Sequence, residues 1–290
     1  MRHPETHLTR SVAAPGAALV NGVPGGVISV HDRGLQFGDG VFETIAVQAG
    51  LPLCLEAHLQ RLQQGCARLC IAVPEHALLQ QEAQQLCVPV AAGVLKIIVT
   101  RGTGGRGYQP PAAISANRVL TVHERPVYPV AFYREGIRSY VCQRQLAIGS
   151  DLAGIKHLNR LEQVLLRQEV AATSCPEGVV TDPDGNVIEG SMSNLFMVKN
   201  GKLLTPDLGR AGVCGVVRGA IIKQRHVAGL AIEVKDIKLE ELYEAEEVFY
   251  CNSVIGVWPV RSIGSIMFNS IDTALEIMRE LTHANIIAAV

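Results

Sequence analysis

Apolar positions along the chain switch between two periods, and the switches mark its elements. From Ala18 the segments A-L-V-N-G and G-V-F-E-T-I-A-V-Q-A-G-L-P-L predict short strands, the last two joined through a glycine-containing turn. The period then lengthens: Leu55, Leu59, Leu62, Cys66 and Leu69 recur at helical spacing and predict a helix over 55–69. A second helix over about 75–86 leads into the strand V-L-K-I-I-V-T at 94–100, and R-V-L-T-V-H at 118–123 closes the first half.

The two prolines of E-R-P-V-Y-P-V at 124–130 mark a linker. Beyond it come the strand I-R-S-Y-V-C, a segment around Lys156 with a helix to about residue 172, and the strands G-V-V-T, V-I-E-G, N-L-F-M-V and K-L-L-T. Helices over about 215–228 and 272–283 finish the half. The order is α+β rather than strict βαβ alternation. We expect two α+β domains, 18–123 and 132–290, joined by a linker at 124–131 and preceded by a loose tail at 1–17. A cleft between such domains is where a small molecule usually binds.

Composition narrows the classes. With 48% hydrophobic and 18% charged residues, 290 residues bury a sizeable core of the soluble globular kind. A formal net charge of -1 offers no bulk field for nucleic acid or an anionic membrane surface. No apolar run approaches the roughly 18 to 20 residues that span a bilayer, and the first seventeen residues lack the apolar centre of a secretion signal, so a cytoplasmic location is expected. The eight cysteines form no C-x-x-C pair and no zinc-type spacing; small buried thiols are expected, with no metal site.

Three features carry candidate chemistry. Lys156, one of seven lysines, lies between L-A-G-I and the apolar repeat of the next helix, with no acidic residue within four positions. A solvated cap is the ordinary reading of such a lysine; desolvation would instead lower its pKa and free its amine for attack on a carbonyl carbon. Glu189 is a lone carboxylate within V-I-E-G-S-M-S-N-L-F, ordinarily a solvent-facing strand end unless a buried cation meets it. R-G-T-G-G-R-G-Y at 101–108 has the G-x-G-x-x-G spacing of a dinucleotide fingerprint, but Pro110 and Pro111 oppose the helix such a site requires. A flexible loop carrying Arg106 and Tyr108 toward a cleft is the better reading.

The ordered blocks E-G-S-M-S-N-L-F, L-L-T at 203–205 and V-C-G-V-V-R at 213–218 resemble the signature of the class IV pyridoxal-phosphate enzymes, or fold type IV. That class includes branched-chain and D-amino-acid aminotransferases and 4-amino-4-deoxychorismate lyases. From about Leu19 onward the likeness is to the bacterial lyases. It runs through D-R-G-L-Q-F-G-D-G-V-F-E-T at 32–44, H-L-Q-R-L at 58–62, the glycine-rich loop, L-A-G-I-K-H-L-N-R-L-E-Q-V-L at 152–165 and C-N-S at 251–253. The first block is common to the class; the loop and the lysine block are the more specific.

The resemblance implies a D-amino-acid-aminotransferase-like fold with pyridoxal 5'-phosphate in the interdomain cleft. Lys156 would hold the cofactor covalently and, once displaced by the substrate amine, act as the acid-base group. Glu189 would accept a hydrogen bond from the protonated pyridine nitrogen. Arg61, the backbone at Val216 and Val217 opening a helix, and Ser253 would hold the phosphate, with Asn194 also in the cofactor site. Aminotransferases of the class tend to carry Ile-Thr-Arg where this chain has Val216-Val217-Arg218, so the hydroxyl contact at 217 is missing and only backbone remains.

Arg106, Tyr108, Asn252 and Thr44 are the candidates for holding substrate. His31 and His58 are read as structural. The implied reaction converts 4-amino-4-deoxychorismate to 4-aminobenzoate and pyruvate, a step of folate biosynthesis, in a homodimer. The runner-up is an aminotransferase acting on D- or branched-chain amino acids. A non-catalytic cofactor-binding protein is disfavoured because it has no need of Lys156, Glu189 and Arg61 together.

Overall fold

The computed structural model describes residues 17–149 and 151–289. The expected tail lies outside them apart from Ala17. The first sheet is wholly antiparallel, in the order Val23–Pro24, Ala18–Val20, Asn117–His123, Ala92–Thr100, Gly40–Gln48, Leu51–Pro52. Its hairpin turn at Ala49-Gly50 has positive φ at both residues, 50° and 82°, which suits the twist of the flanking strands. Helices Leu55–Arg68 and His76–Cys87 cover one face, burying Leu59, Leu62, Cys66, Leu79 and Ala83 against Ile45, Leu95, Ile97 and Leu120.

The second sheet is mixed. Its strands run His226–Val227, Leu230–Lys235, Lys202–Pro206, Asn194–Lys199, Glu247–Asn252, Gly256–Ile263, Ile137–Val141, Glu177–Thr181, Asn186–Gly190, Ile237–Lys238, with Ile266–Met267 beside Gly256–Ile263. The long central pair Glu247–Asn252 and Gly256–Ile263 was not among the expected strands. Both faces of this pair are covered, so its residues form a nearly unbroken apolar run without the alternation that marks a half-exposed strand. On one face, helix Asp272–His283 buries Ala274, Ile277 and Leu281 against Phe196, Phe249 and Val257. On the other, Trp258 is ringed edge-on by Tyr128, Phe132 and Tyr133 at 4.8, 5.4 and 6.4 Å. The proline-bounded stretch 124–130 has neither helix nor strand, and its Tyr128 is anchored on this tryptophan.

Other expectations need correction. The helix expected over 215–228 is Val216–Lys223. Arg225 turns left-handed at φ 62°, and Ala228-Gly229 closes a hairpin between His226–Val227 and Leu230–Lys235, which ends the helix before the expected boundary. The cysteines are all free, but Cys70 and Cys214 are exposed rather than buried.

No helix follows the glycine-rich loop. Gly102 has φ 106°, and a Cβ there would lie 1.9 Å from the Ser115 carbonyl oxygen. Arg33 clamps the loop by donating to the Gly107 and Tyr108 carbonyls at 2.8 and 2.6 Å, while its Nε pairs with Asp39. Among the described residues no helix is long and apolar enough to cross a membrane.

Trp258→Ala should cost about 3–5 kcal/mol, the scale of emptying a fully packed aromatic site. Trp258→Phe should cost much less, because the indole N–H is buried without a partner and no hydrogen bond is lost. Denaturant melts of the two variants check this; equal losses would contradict the packing account.

Candidate active site

Lys156 stands on a short extended segment held from both sides. On one side Phe42 N donates to the Lys156 carbonyl at 3.0 Å and Leu158 N to Gly40 O at 2.9 Å, attaching the segment to the first sheet. On the other, Gly154 N donates to Gly212 O and Cys214 N to Gly154 O, at 2.9 and 3.1 Å, attaching it to the loop before helix Val216–Lys223. The side chain enters a cavity of about 320 Å3 lined also by Thr44, Arg61, Arg160, Glu189, Asn194, Val216, Asn252 and Ser253.

The lysine is half-buried, with Nζ 4.4 Å from the Phe42 ring centroid. Burial first, and then the positive charge of Arg61, bring its pKa down to about 8 despite the opposing pull of Glu43. Glu189, also in this cavity, is buried and pushed up to about 7 by desolvation; the Val213 N–H, with Arg160 and Lys156, only partly offsets that. It accepts from Val213 N at 2.9 Å and, more weakly, from Asn194 Nδ2 at 3.5 Å. Asn194 also donates to the Val213 carbonyl at 2.9 Å and packs so closely on Gly215 that a Cβ there would fall 1.9 Å from its Oδ1.

At another part of the lining, Arg61 grips Glu43 through both Nε and Nη2 and donates Nη1 to the Cys214 carbonyl at 3.0 Å. Burial alone would raise the Glu43 carboxyl, but Arg61 and His58 hold it down at about 2. His58 Nδ1 lies 2.6 Å from Glu43, and its Nε2 3.1 Å from the Ser253 hydroxyl. Burial favours the neutral imidazole, although Glu43 pulls the other way. In that form Nδ1–H donates to Glu43 and Nε2 accepts from Ser253. Gly215 caps helix Val216–Lys223 without a side-chain hydrogen bond, so the first-turn N–H groups have no acceptor from the helix itself or from a cap side chain.

The structure thus brings Lys156, Glu189, Arg61, Ser253, Asn194, Val216, Asn252 and Thr44 to one cavity. Val217 adjoins it at the helix start, with its side chain packed into the core. Asn252 has its amide committed to backbone: Nδ2 donates to Met192 O, and Oδ1 accepts from Val254 and Ile255. It therefore shapes the wall. Arg106 and Tyr108 do not line this cavity; both are exposed, and Tyr108 rests edge-on against Phe37 at 5.5 Å. Arg33's hold on the loop backbone is what sets them apart from it.

Sequence reasoning missed Glu43 and left His58 aside as structural. Both had a signal: Glu43 shares the inward period-two face of Val41, Ile45 and Val47, and His58 lies three and four residues from Leu55 and Leu62. A charged residue on an apolar face needs a buried partner. Glu177 was missed as well. Fully buried, it accepts from Ser191 N at 2.9 Å, Ser193 Oγ at 2.7 Å and the Ser191 hydroxyl, shaping the turn that carries Met192 into the cavity.

Residues 40–263 match the model of the family described as Amino-transferase class IV. An aminodeoxychorismate lyase of Vibrio harveyi is 36% identical over 85% of this chain and 91% of its own length. A D-alanine aminotransferase of Bacillus licheniformis is 30% identical over 81% of this chain and 83% of its own. The crystal structure of 4-amino-4-deoxychorismate lyase from Pseudomonas aeruginosa superposes with a TM-score of 0.87 at 44% identity, covering 92% of this chain and 98% of that one. With the match spanning both sheets and the lysine between them, the chain belongs to the aminotransferase class IV family and has its two-domain, fold type IV architecture.

Proposed function

We propose that this chain is a pyridoxal-phosphate-dependent lyase that converts 4-amino-4-deoxychorismate to 4-aminobenzoate and pyruvate. The observation that carries it is the meeting in one cavity of Lys156 and the buried Glu189 carboxyl with Arg61 and the helix start at Val216; burial lowers the lysine and raises the carboxyl. A carboxyl left with one good donor and one long one suits a cationic ring nitrogen, which would return it to its ionised form. Arg61, the helix start at Val216 and Val217, and Ser253 suit the cofactor's phosphate. The residues therefore fit the cofactor. The resemblance to lyases at 36% and 44% identity, against 30% for the aminotransferase, favours the lyase.

When bound, pyridoxal phosphate supplies the electron sink for breaking a bond beside the substrate's amino carbon. Lys156 supplies the proton traffic: its amine takes the proton from C4 and returns it to the departing enolpyruvyl group, while the bond from C3 to oxygen breaks. Substrate and products balance without an added oxidant or water. Asn194 orients Glu189, and Glu43 with His58 holds Arg61 and Ser253 in place. The Phe42 ring covers one side of the Lys156 amine. Arg106 and Tyr108 point to action in a second subunit's cavity, so the homodimer is part of this proposal, as is a cytoplasmic setting. The second reading, an aminotransferase, uses the same lysine and carboxylate and requires a 2-oxo acid.

The deciding assay supplies enzymatically generated aminodeoxychorismate without oxo acid. Equal release of 4-aminobenzoate and pyruvate, abolished in Lys156→Ala, is the expected result; amino-group exchange that appears only with an oxo acid identifies the aminotransferase.

A neutral amine is the nucleophile, so capture of pyridoxal phosphate by the cofactor-free protein should accelerate as pH rises through about 8. A midpoint near the ordinary lysine value would remove the desolvation argument. Glu43→Gln takes away the anion that holds Arg61, and should weaken pyridoxal phosphate binding by roughly tenfold, the effect of about 1.4 kcal/mol. Pyridoxal, lacking phosphate, should bind both proteins alike; equal weakening of the two ligands would place Glu43's effect elsewhere.

A further inference from the structure

The cavity does not end at the lysine. Lys156, Arg160, Gln163, Ser191 and Met192 also line an adjoining space of about 520 Å3 that runs along helix Leu161–Ala171 as far as Ala171. Phe42, Val164, Ala171 and Met192 give it an apolar wall, which suits a ring but offers nothing to a negative charge.

Three arginines face these two spaces. Arg61 is spent on Glu43, and Arg167 on Ser191 Oγ at 3.0 Å and Glu177 at 3.6 Å. Arg160 is different. Its Nε donates to His157 O at 2.8 Å and its Nη2 to Ile155 O at 2.7 Å, which fixes the guanidinium plane. Among the described residues no carboxylate lies within ion-pair distance of it, and Nη1 has no partner. One helical turn on, and so on the same face, the side-chain oxygen of Gln163 is buried with no hydrogen bond. A half-turn of that amide presents its NH2 to the same space. A buried amide oxygen without a partner is costly, and a guanidinium N–H left without a protein acceptor is open to a bound anion.

We propose that Arg160, assisted by Gln163, receives a carboxylate of the substrate and so fixes the ring with its amino-bearing carbon toward Lys156. The assignment rests on the lyase reading, whose substrate carries two carboxylates: one stays with 4-aminobenzoate and the other leaves as pyruvate. Arg160 is the guanidinium of this cavity that is oriented by neutral carbonyls instead of neutralised by an acid, which is the state a carboxylate clamp requires.

The test uses the cofactor-loaded protein and its Arg160→Gln, Arg160→Lys and Gln163→Ala variants. Arg160→Gln should raise KM for aminodeoxychorismate by roughly ten- to a hundredfold, the scale of a charge-assisted hydrogen bond, with a smaller fall in kcat. Arg160→Lys should recover part of the loss and Gln163→Ala should show a milder one. In Arg160→Lys, which keeps the charge, and in Gln163→Ala the pH titration of the cofactor absorbance should stay at the wild-type position; Arg160→Gln removes a cation that acts on both Lys156 and Glu189 and should move it upward.

Equilibrium binding then separates the two carboxylates. Weaker 4-aminobenzoate binding with aniline binding unchanged assigns the ring carboxylate; weaker pyruvate binding with 4-aminobenzoate unchanged assigns the enolpyruvyl one, and either supports the proposal. Unchanged KM and product affinities in Arg160→Gln, or a fall in kcat accompanied by a shifted cofactor titration in the charge-retaining Arg160→Lys, overturns it in favour of a backbone-shaping role. A wild-type protein that forms no 4-aminobenzoate refutes the lyase reading instead, and the comparison of 4-aminobenzoate with aniline still decides whether Arg160 binds a carboxylate.

Discussion

Everything chemical in this protein depends on five residues, Gly154 to Leu158, that are hydrogen-bonded to the first sheet along one edge and to the 212–214 loop along the other. A lysine side chain has four rotatable bonds and considerable rotamer entropy, so its placement is only as good as its backbone. Here each domain supplies part of the frame. Neither sheet alone could point Lys156 into the cavity, because the cavity wall comes from both.

Around that frame, one force gives two opposite results. Removing a carboxyl from water raises its pKa. At Glu43 the rise is overwhelmed by a two-pronged arginine and an imidazole; at Glu189 a backbone N–H and two cations without ion-pair contact leave it near 7. The first carboxylate is finished as a structural ion and serves to aim Arg61. The second is unfinished, and an incoming cation would complete it. Arg160 is its counterpart of opposite sign.

Much of this was legible in the sequence, for physical reasons that differ by element. The first domain read well because its strands alternate and its helices carry one apolar stripe, as Leu55 to Leu69 shows. The centre of the second domain did not, since Glu247–Asn252 and Gly256–Ile263 are buried on both faces and carry no period. Lys156 and Glu189 stood out as isolated charges in apolar surroundings. Glu43 and His58 stood in equally apolar faces, but each is explained only by the other and by Arg61, and those pairings join residues 15 and 18 positions apart. Pairings between elements are not written in any one window of sequence.

The glycine-rich loop carries a final consequence. Of the glycines at 102, 104, 105 and 107, the first two are hemmed in, by the Ser115 carbonyl at 1.9 Å and the Arg33 side chain at 2.8 Å, whereas a Cβ on either of the last two meets nothing within 4 Å. Because Arg33 grips carbonyl groups rather than side chains, the loop keeps its course whatever is mounted at 105 and 107. Those two positions flank Arg106 and leave room in this chain for whatever the loop's outer face is set against.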